Sequence, residues 1–188
     1  MEATLTHDGA AFVNFRHFAF AEPHAHAYRW LDVKRFRLPE PSLPDPSVSD
    51  PSVPDPSVPD RDLLAALVAH EQFRDDYAGG GVDPGGTRHG EYWLRFVTPE
   101  AYESIGRDGA TRLLETWAER YGPLPDALAE ALRREAYEPL AAADSVHHLN
   151  GLGGDAYHDW ASVHGEFHEL VLVDRAARRL TLLVAADD

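Results

Sequence analysis

The sequence predicts an α+β fold: one mostly antiparallel sheet of about five strands, with three or four helices packed on one face. Three observations predict it. Strand-like segments come in adjacent pairs at both ends of the chain, helical periodicity clusters in the middle, and the regular strand and helix alternation of a doubly wound α/β fold is absent. A chain of 188 residues buries one core without disulfide or metal staples, so a single domain is expected over 1–188.

From Ala11 to Phe20, period-two alternation sets Phe12, Asn14, Arg16, Phe18 and Phe20 on one side and Val13, Phe15, His17 and Ala19 on the other. The aromatic and β-branched content predicts a strand. A second strand over Tyr28 to Phe36 alternates imperfectly and ends at Pro39, forming a hairpin with the first. Asp60 is placed to cap a helix whose apolar stripe runs through Leu63, Ala66, Leu67, His70, Phe73 and Tyr77 and stops at Gly79-Gly80-Gly81.

Tyr92 to Val97 reads as a buried strand. Thr98-Pro99-Glu100 carries helix-start signals, so a helix is expected directly after it. Gly106 and Gly109 divide that helix, and its second part runs through Leu113, Leu114, Trp117 and Tyr121 to Gly122. A further helix begins near Pro125, buries Leu128, Ala131 and Leu132, and ends before Pro139. Residues 141 to 155 read as irregular. Phe167 to Asp174 and Arg179 to Ala185 form a terminal hairpin through the turn Arg175-Ala176-Ala177-Arg178.

Between the second strand and the first helix lies a low-complexity segment, 38–60, containing four pentapeptides from Pro41 to Asp60. Proline at this density fixes φ, removes amide donors and pushes each preceding residue extended, so neither helix nor central strand can form. The expected state is polyproline II, as an insertion within one domain. Deleting Pro41 to Asp55 is expected to leave the melting temperature nearly unchanged; loss of folding in a thermal melt would mean that the repeat packs.

Acidic residues outnumber basic ones by 32 to 17, which argues against binding to nucleic acid phosphates or to an anionic membrane. Five of the acids, Glu40, Asp45, Asp50, Asp55 and Asp60, lie in or beside the repeat. No apolar stretch is long enough to span a bilayer and no leader pattern is visible, so a cytoplasmic protein is expected. The absence of cysteine excludes disulfides, thiolate metal sites and cysteine nucleophiles. Lys34 is the only lysine beside sixteen arginines, a usage read as GC-rich bacterial codon bias.

Two groups of residues are candidates for chemistry. In extended backbone His24 and His26 share a side, as do His164, Glu166 and His168, which together offer the imidazole and carboxylate ligands of a divalent zinc or iron site. Chance His-x-His spacing is the competing explanation in a chain with eleven histidines. The second group is a loop rim of His147, His148, Asp155, Tyr157, His158 and Trp160 around a glycine-rich stretch. Gly81 to Thr87 lacks the lysine and the strand-to-helix order of a phosphate loop. The expectation is a cytosolic, non-catalytic binding or accessory domain with a protein or small-molecule partner; the alternative is a small histidine and carboxylate metal enzyme.

Overall fold

The two end hairpins are present and lie side by side in one sheet. The computed structural model describes residues 4–20, 28–39 and 58–187. His24, His26 and most of the pentapeptide repeat lie outside them. In chain order the strands are β1 (Thr6–Asn14), β2 (Arg29–Arg37), β3 (Arg88–His89), β4 (Tyr92–Trp93), β5 (Tyr102–Ile105), β6 (Ser145–Leu149), β7 (Glu166–Asp174) and β8 (Arg179–Asp187). The helices are α1 (Asp60–Ala69), α2 (Arg107–Ala118), α3 (Asp126–Leu132) and α4 (Glu138–Ala142).

Six strands pair in the order β1-β2-β8-β7-β6-β5, every pair antiparallel. The long central ladders run without slippage, from Arg29 against Asp187 to Arg37 against Arg179, and from Glu166 against Asp187 to Asp174 against Arg179. The small β3–β4 hairpin stands apart as its own two-stranded sheet. The fold is therefore α+β with a mostly antiparallel sheet.

The helices are not confined to one face. Leu63, Leu64 and Leu67 of α1 pack with Trp30, Phe36, Val171, Val173, Leu180, Leu182 and Val184 on one side of the sheet. Leu114, Trp117, Leu128, Leu132 and Leu140 of α2, α3 and α4 pack with Leu31, Val33, Leu170, Leu172, Leu183 and Ala185 on the other. A sheet covered twice must be apolar on both sides, which is why β8 reads Leu180-Thr-Leu-Leu-Val-Ala-Ala186 almost without polar interruption. Each fully buried leucine removed from water contributes about 2 kcal/mol.

Several boundaries differ from the periodicity. α1 ends at Ala69, and His70 leaves in an extended conformation with its Nδ1 accepting the Gln72 amide. That local bond opens a new 3₁₀ turn in place of further helix, so Phe73 and Tyr77 belong to a strap crossing the sheet. Asp60 is the first helical residue and not the cap; its carboxylate is held by His147 and Arg175. The helix expected after Pro99 is a single 3₁₀ turn followed by β5, and the expected strand at Tyr92 to Val97 is β4 and another 3₁₀ turn. Residues 145–149, expected to be irregular, are β6, because β5 and β7 both pair with them. A π-helical turn at Arg133–Tyr137 carries α3 into α4 past Pro139, whose missing amide the wider turn accommodates.

Candidate binding pocket

The strap of residues 70–97 builds the site. It lies on the α1 face of the sheet and is tied down in part by a buried polar network. His89 and Glu169 are fully buried, His89 Nε2 meets Glu169 Oε2, and His89 Nδ1 meets the Phe73 carbonyl. The Tyr102 hydroxyl donates to the other Glu169 oxygen. With Nδ1–H donated to a carbonyl, Nε2 is left to face the carboxyl group. Phe73 stacks on the imidazole at 3.4 Å between centroids.

The turn beside His89 depends on Gly90, whose φ is +51°. A Cβ there would stand within 2.8 Å of Phe167 Cε1 and Cε2. Gly90→Ala is expected to destabilise the fold by about 2 kcal/mol or more, because the strap must lift or the ring must leave its site. A chemical denaturation midpoint equal to that of the parent protein would contradict this.

With the strap anchored, its residues 75–81 face β2 and β1 across a pocket of about 490 Å³ lined by Phe12, Tyr28, Trp30, Asp32, Asp75 and Tyr77, with Asn14, Arg16 and Val163 completing the rim. Period two on β2 explains the sheet side: Trp30, Asp32, Lys34 and Phe36 share one face. Phe12 stacks on Trp30 at 5.8 Å, and Trp30 on Tyr77 at 5.4 Å. Phe12 and Tyr28 are more than half exposed, at 57% and 58%. Tyr77 itself holds φ +56°, a left-handed conformation unusual outside glycine, and its amide donates to Asp75 Oδ1.

The floor is charged. Lys34 Nζ donates to Asp75 Oδ2 at 2.8 Å and to the Gln72 carbonyl at 3.1 Å, and it lies 4.7 Å from the Tyr77 ring centroid. Asp32 is different. Its side chain is 13% exposed, Lys34 Nζ stands 3.8 Å from Oδ2, and among the described residues that buried oxygen accepts no hydrogen bond. Burial pushes the Asp32 carboxyl up to about 6, against the pull of Lys34 and with a further push from Asp75. Burial likewise drives the Tyr77 hydroxyl well above its usual range.

Among the described residues, those singled out from the sequence do not line this pocket. The strand begins at Glu166, so His164 does not share a strand face with Glu166 and His168. His164 follows a 3₁₀ turn, meets the Asp76 carbonyl at 3.1 Å and sits edge-on to Trp30, on the pocket side of the sheet. Glu166 and His168 do meet, at 3.2 Å, but Glu166 is also paired with Arg120, and burial lowers the His168 imidazole. Among the described residues no group of three or more His, Asp or Glu is placed to hold a metal ion.

The expected loop rim is dispersed as well. His147 and His148 are neighbours on β6 and project to opposite faces: His147 reaches Asp60 at the start of α1, while burial beside His168 lowers the His148 imidazole. His158 is buried and structural, with Nε2 at 2.7 Å from the Gly90 carbonyl and Nδ1 accepting the Trp160 amide. Asp155, Tyr157 and Trp160 remain exposed on the 154–163 loop, where Tyr157 packs on Tyr92 at 5.2 Å.

No protein-family model matches the sequence, and no curated protein is significantly similar to it. The structure is similar to that of citrus MAF1, with 10% identity and a TM-score of 0.38 over 85% of this chain and 88% of that one, a likeness too slight to carry an argument. No helix among the described residues is long and apolar enough to cross a membrane.

Proposed function

We propose that the chain is a non-catalytic binding domain whose ligand site is the pocket between the strap and the β1–β2 hairpin. The carrying observation is Asp32, a carboxylate desolvated inside an aromatic pocket with one oxygen that no described group satisfies. Burying such a group opposes folding, and expensive features of this kind concentrate where a ligand is met. The positive φ of Tyr77 on the facing wall supports the same reading. In this reading the pentapeptide repeat ahead of α1 is a passive insertion, although Leu38, Val58 and Asp60 at the ends of the segment 38–60 pack into the fold, and the partner is a small molecule or a single side chain that fits the pocket.

The test is chemical-shift mapping of the full chain against a library of small charged and neutral fragments. Perturbations centred on Trp30, Asp32, Asp75 and Tyr77 are expected. Perturbations confined to residues 154–160, away from the pocket rim, or none with any fragment, would overturn the proposal.

A further inference from the structure

The chemistry of the pocket wall selects among ligands. Phe12, Tyr28, Trp30 and Tyr77 supply aromatic surface, and the charged groups facing Asp32 are Lys34 on its own strand and Asp75 with the Tyr77 hydroxyl on the strap. Lys34 is already engaged by Asp75, the Gln72 carbonyl and the Tyr77 hydroxyl. Two carboxylates and one ammonium leave the floor one negative charge in excess when all three are ionised. Arg16 lines the rim, but it is exposed on the turn after β1, where water screens it.

We propose that this pocket binds an organic cation of the alkylammonium class, its charge against Asp32 and its methylene or methyl groups against the aromatic wall. The inference rests on the pocket being a binding site, as argued above. A carboxylate beside aromatic rings is suited to a cation that is weakly hydrated and carries apolar surface. The packing of Lys34 Nζ over the Tyr77 ring shows the same wall accepting an ammonium group from within the chain. A hydrated inorganic cation would leave the rings unused, and an anion would face Asp32 and Asp75 together. The net charge of −15 also raises the local concentration of cations.

The experiment is a calorimetric titration of the full chain with choline, with its neutral isostere 3,3-dimethylbutan-1-ol, and with butyrate. Choline is expected to bind at least tenfold more tightly than the isostere, and butyrate not at all. Asp32→Asn is expected to weaken choline at least tenfold and leave the isostere unchanged, with Phe12→Ala, an exposed position, weakening both. A blocked lysine peptide competing with choline more strongly than butylammonium would identify a protein side chain as the natural source; the reverse order would identify a free amine. Equal binding of choline and isostere, or unchanged choline affinity in Asp32→Asn, would overturn the ligand class while leaving the pocket as a site. No binding by any probe, with no shift at Trp30 or Tyr77, would overturn the site itself.

Discussion

Glu169→Ala is expected to destabilise the protein by about 3–5 kcal/mol, the cost of leaving the buried partners of one carboxyl group alone. Glu169 has no exposed surface and holds two donors, His89 from the strap and Tyr102 from β5. Alanine would strand both in buried positions. For a chain of this size the melting temperature should fall by about 10 °C. Glu169→Gln separates charge from hydrogen bonding: its carbonyl can still accept from Tyr102, and its amide can donate to a neutral imidazole whose other nitrogen keeps the Phe73 carbonyl. That variant should therefore lose much less, about 1–2 kcal/mol. Hydrogen exchange should show residues 74–93 losing protection first in Glu169→Ala, because His89 is a buried tie between strap and sheet. If both variants melted like the parent, the Glu169 network would contribute nothing to stability and the strap would be held by its apolar contacts and by the bonds of Lys34 and His164.

The terminal hairpin was legible because it is local: alternation and a short turn are written between Glu166 and Asp187. The first strand, expected over Ala11 to Phe20, is Thr6–Asn14 and gives way to a 3₁₀ turn at Phe15, so its pairing with β2 was legible and its bounds were not. β5 and β6 were not, since Tyr102 to Ile105 and Ser145 to Leu149 are short and become strands only by pairing with each other and with β7. The second covered face was present in the sequence as the apolar run Leu182 to Ala186 of β8, which a strand solvated on one side would not show. The pocket was half visible. The imperfect alternation of β2 put Asp32 and Lys34 at the same parity as Trp30 and Phe36, and charges at core parity signal a buried pair. Lys34, the only lysine, was explained by codon usage, whereas in the fold it is the counter-ion of Asp75. The partner residues could not be found from pattern, because Asp75 and Tyr77 sit on an irregular strap whose position depends on His89 reaching Glu169, eighty residues away.

The histidines mislead for a related reason. Spacing of two places side chains together only if the backbone is extended throughout, and the strand begins at Glu166, one residue too late to include His164's neighbour in the ladder. His147, His158, His89 and His164 are each spent on holding one segment to another, through Asp60, Gly90, Glu169 and Asp76 respectively. Imidazole suits that work, since it is largely apolar and carries two polar atoms at fixed directions. These four histidines therefore fasten loops to a sheet covered on both sides, while on the pocket floor the atom left with unmet hydrogen bonding, Asp32 Oδ2, belongs to a carboxylate.

Asp32→Asn should stabilise the fold at neutral pH, and the gain should depend on pH with a definite sign. A carboxyl held near 6 in the folded state and at its ordinary value when unfolded binds its proton more tightly in the native protein. The stability it contributes is complete below about pH 4 and is lost as pH rises through about 6, amounting to about 3 kcal/mol in all. Asparagine has the same size and no such loss. The variant and the parent should thus have similar stability at low pH and diverge between about pH 4 and 6, reaching a difference in melting temperature of about 5–10 °C above that window. Lys34 keeps its 2.8 Å bond to Asp75 in the variant, so its own charge is not stranded. If Asp32→Asn were instead destabilising, or if the difference were flat with pH, Asp32 would be a structural partner of Lys34. A stabilised variant that no longer binds an organic cation would mean that this position trades stability for recognition. The same linkage requires that cation binding to the parent weaken as pH falls through about 6, because protonating Asp32 removes the charge the ligand meets.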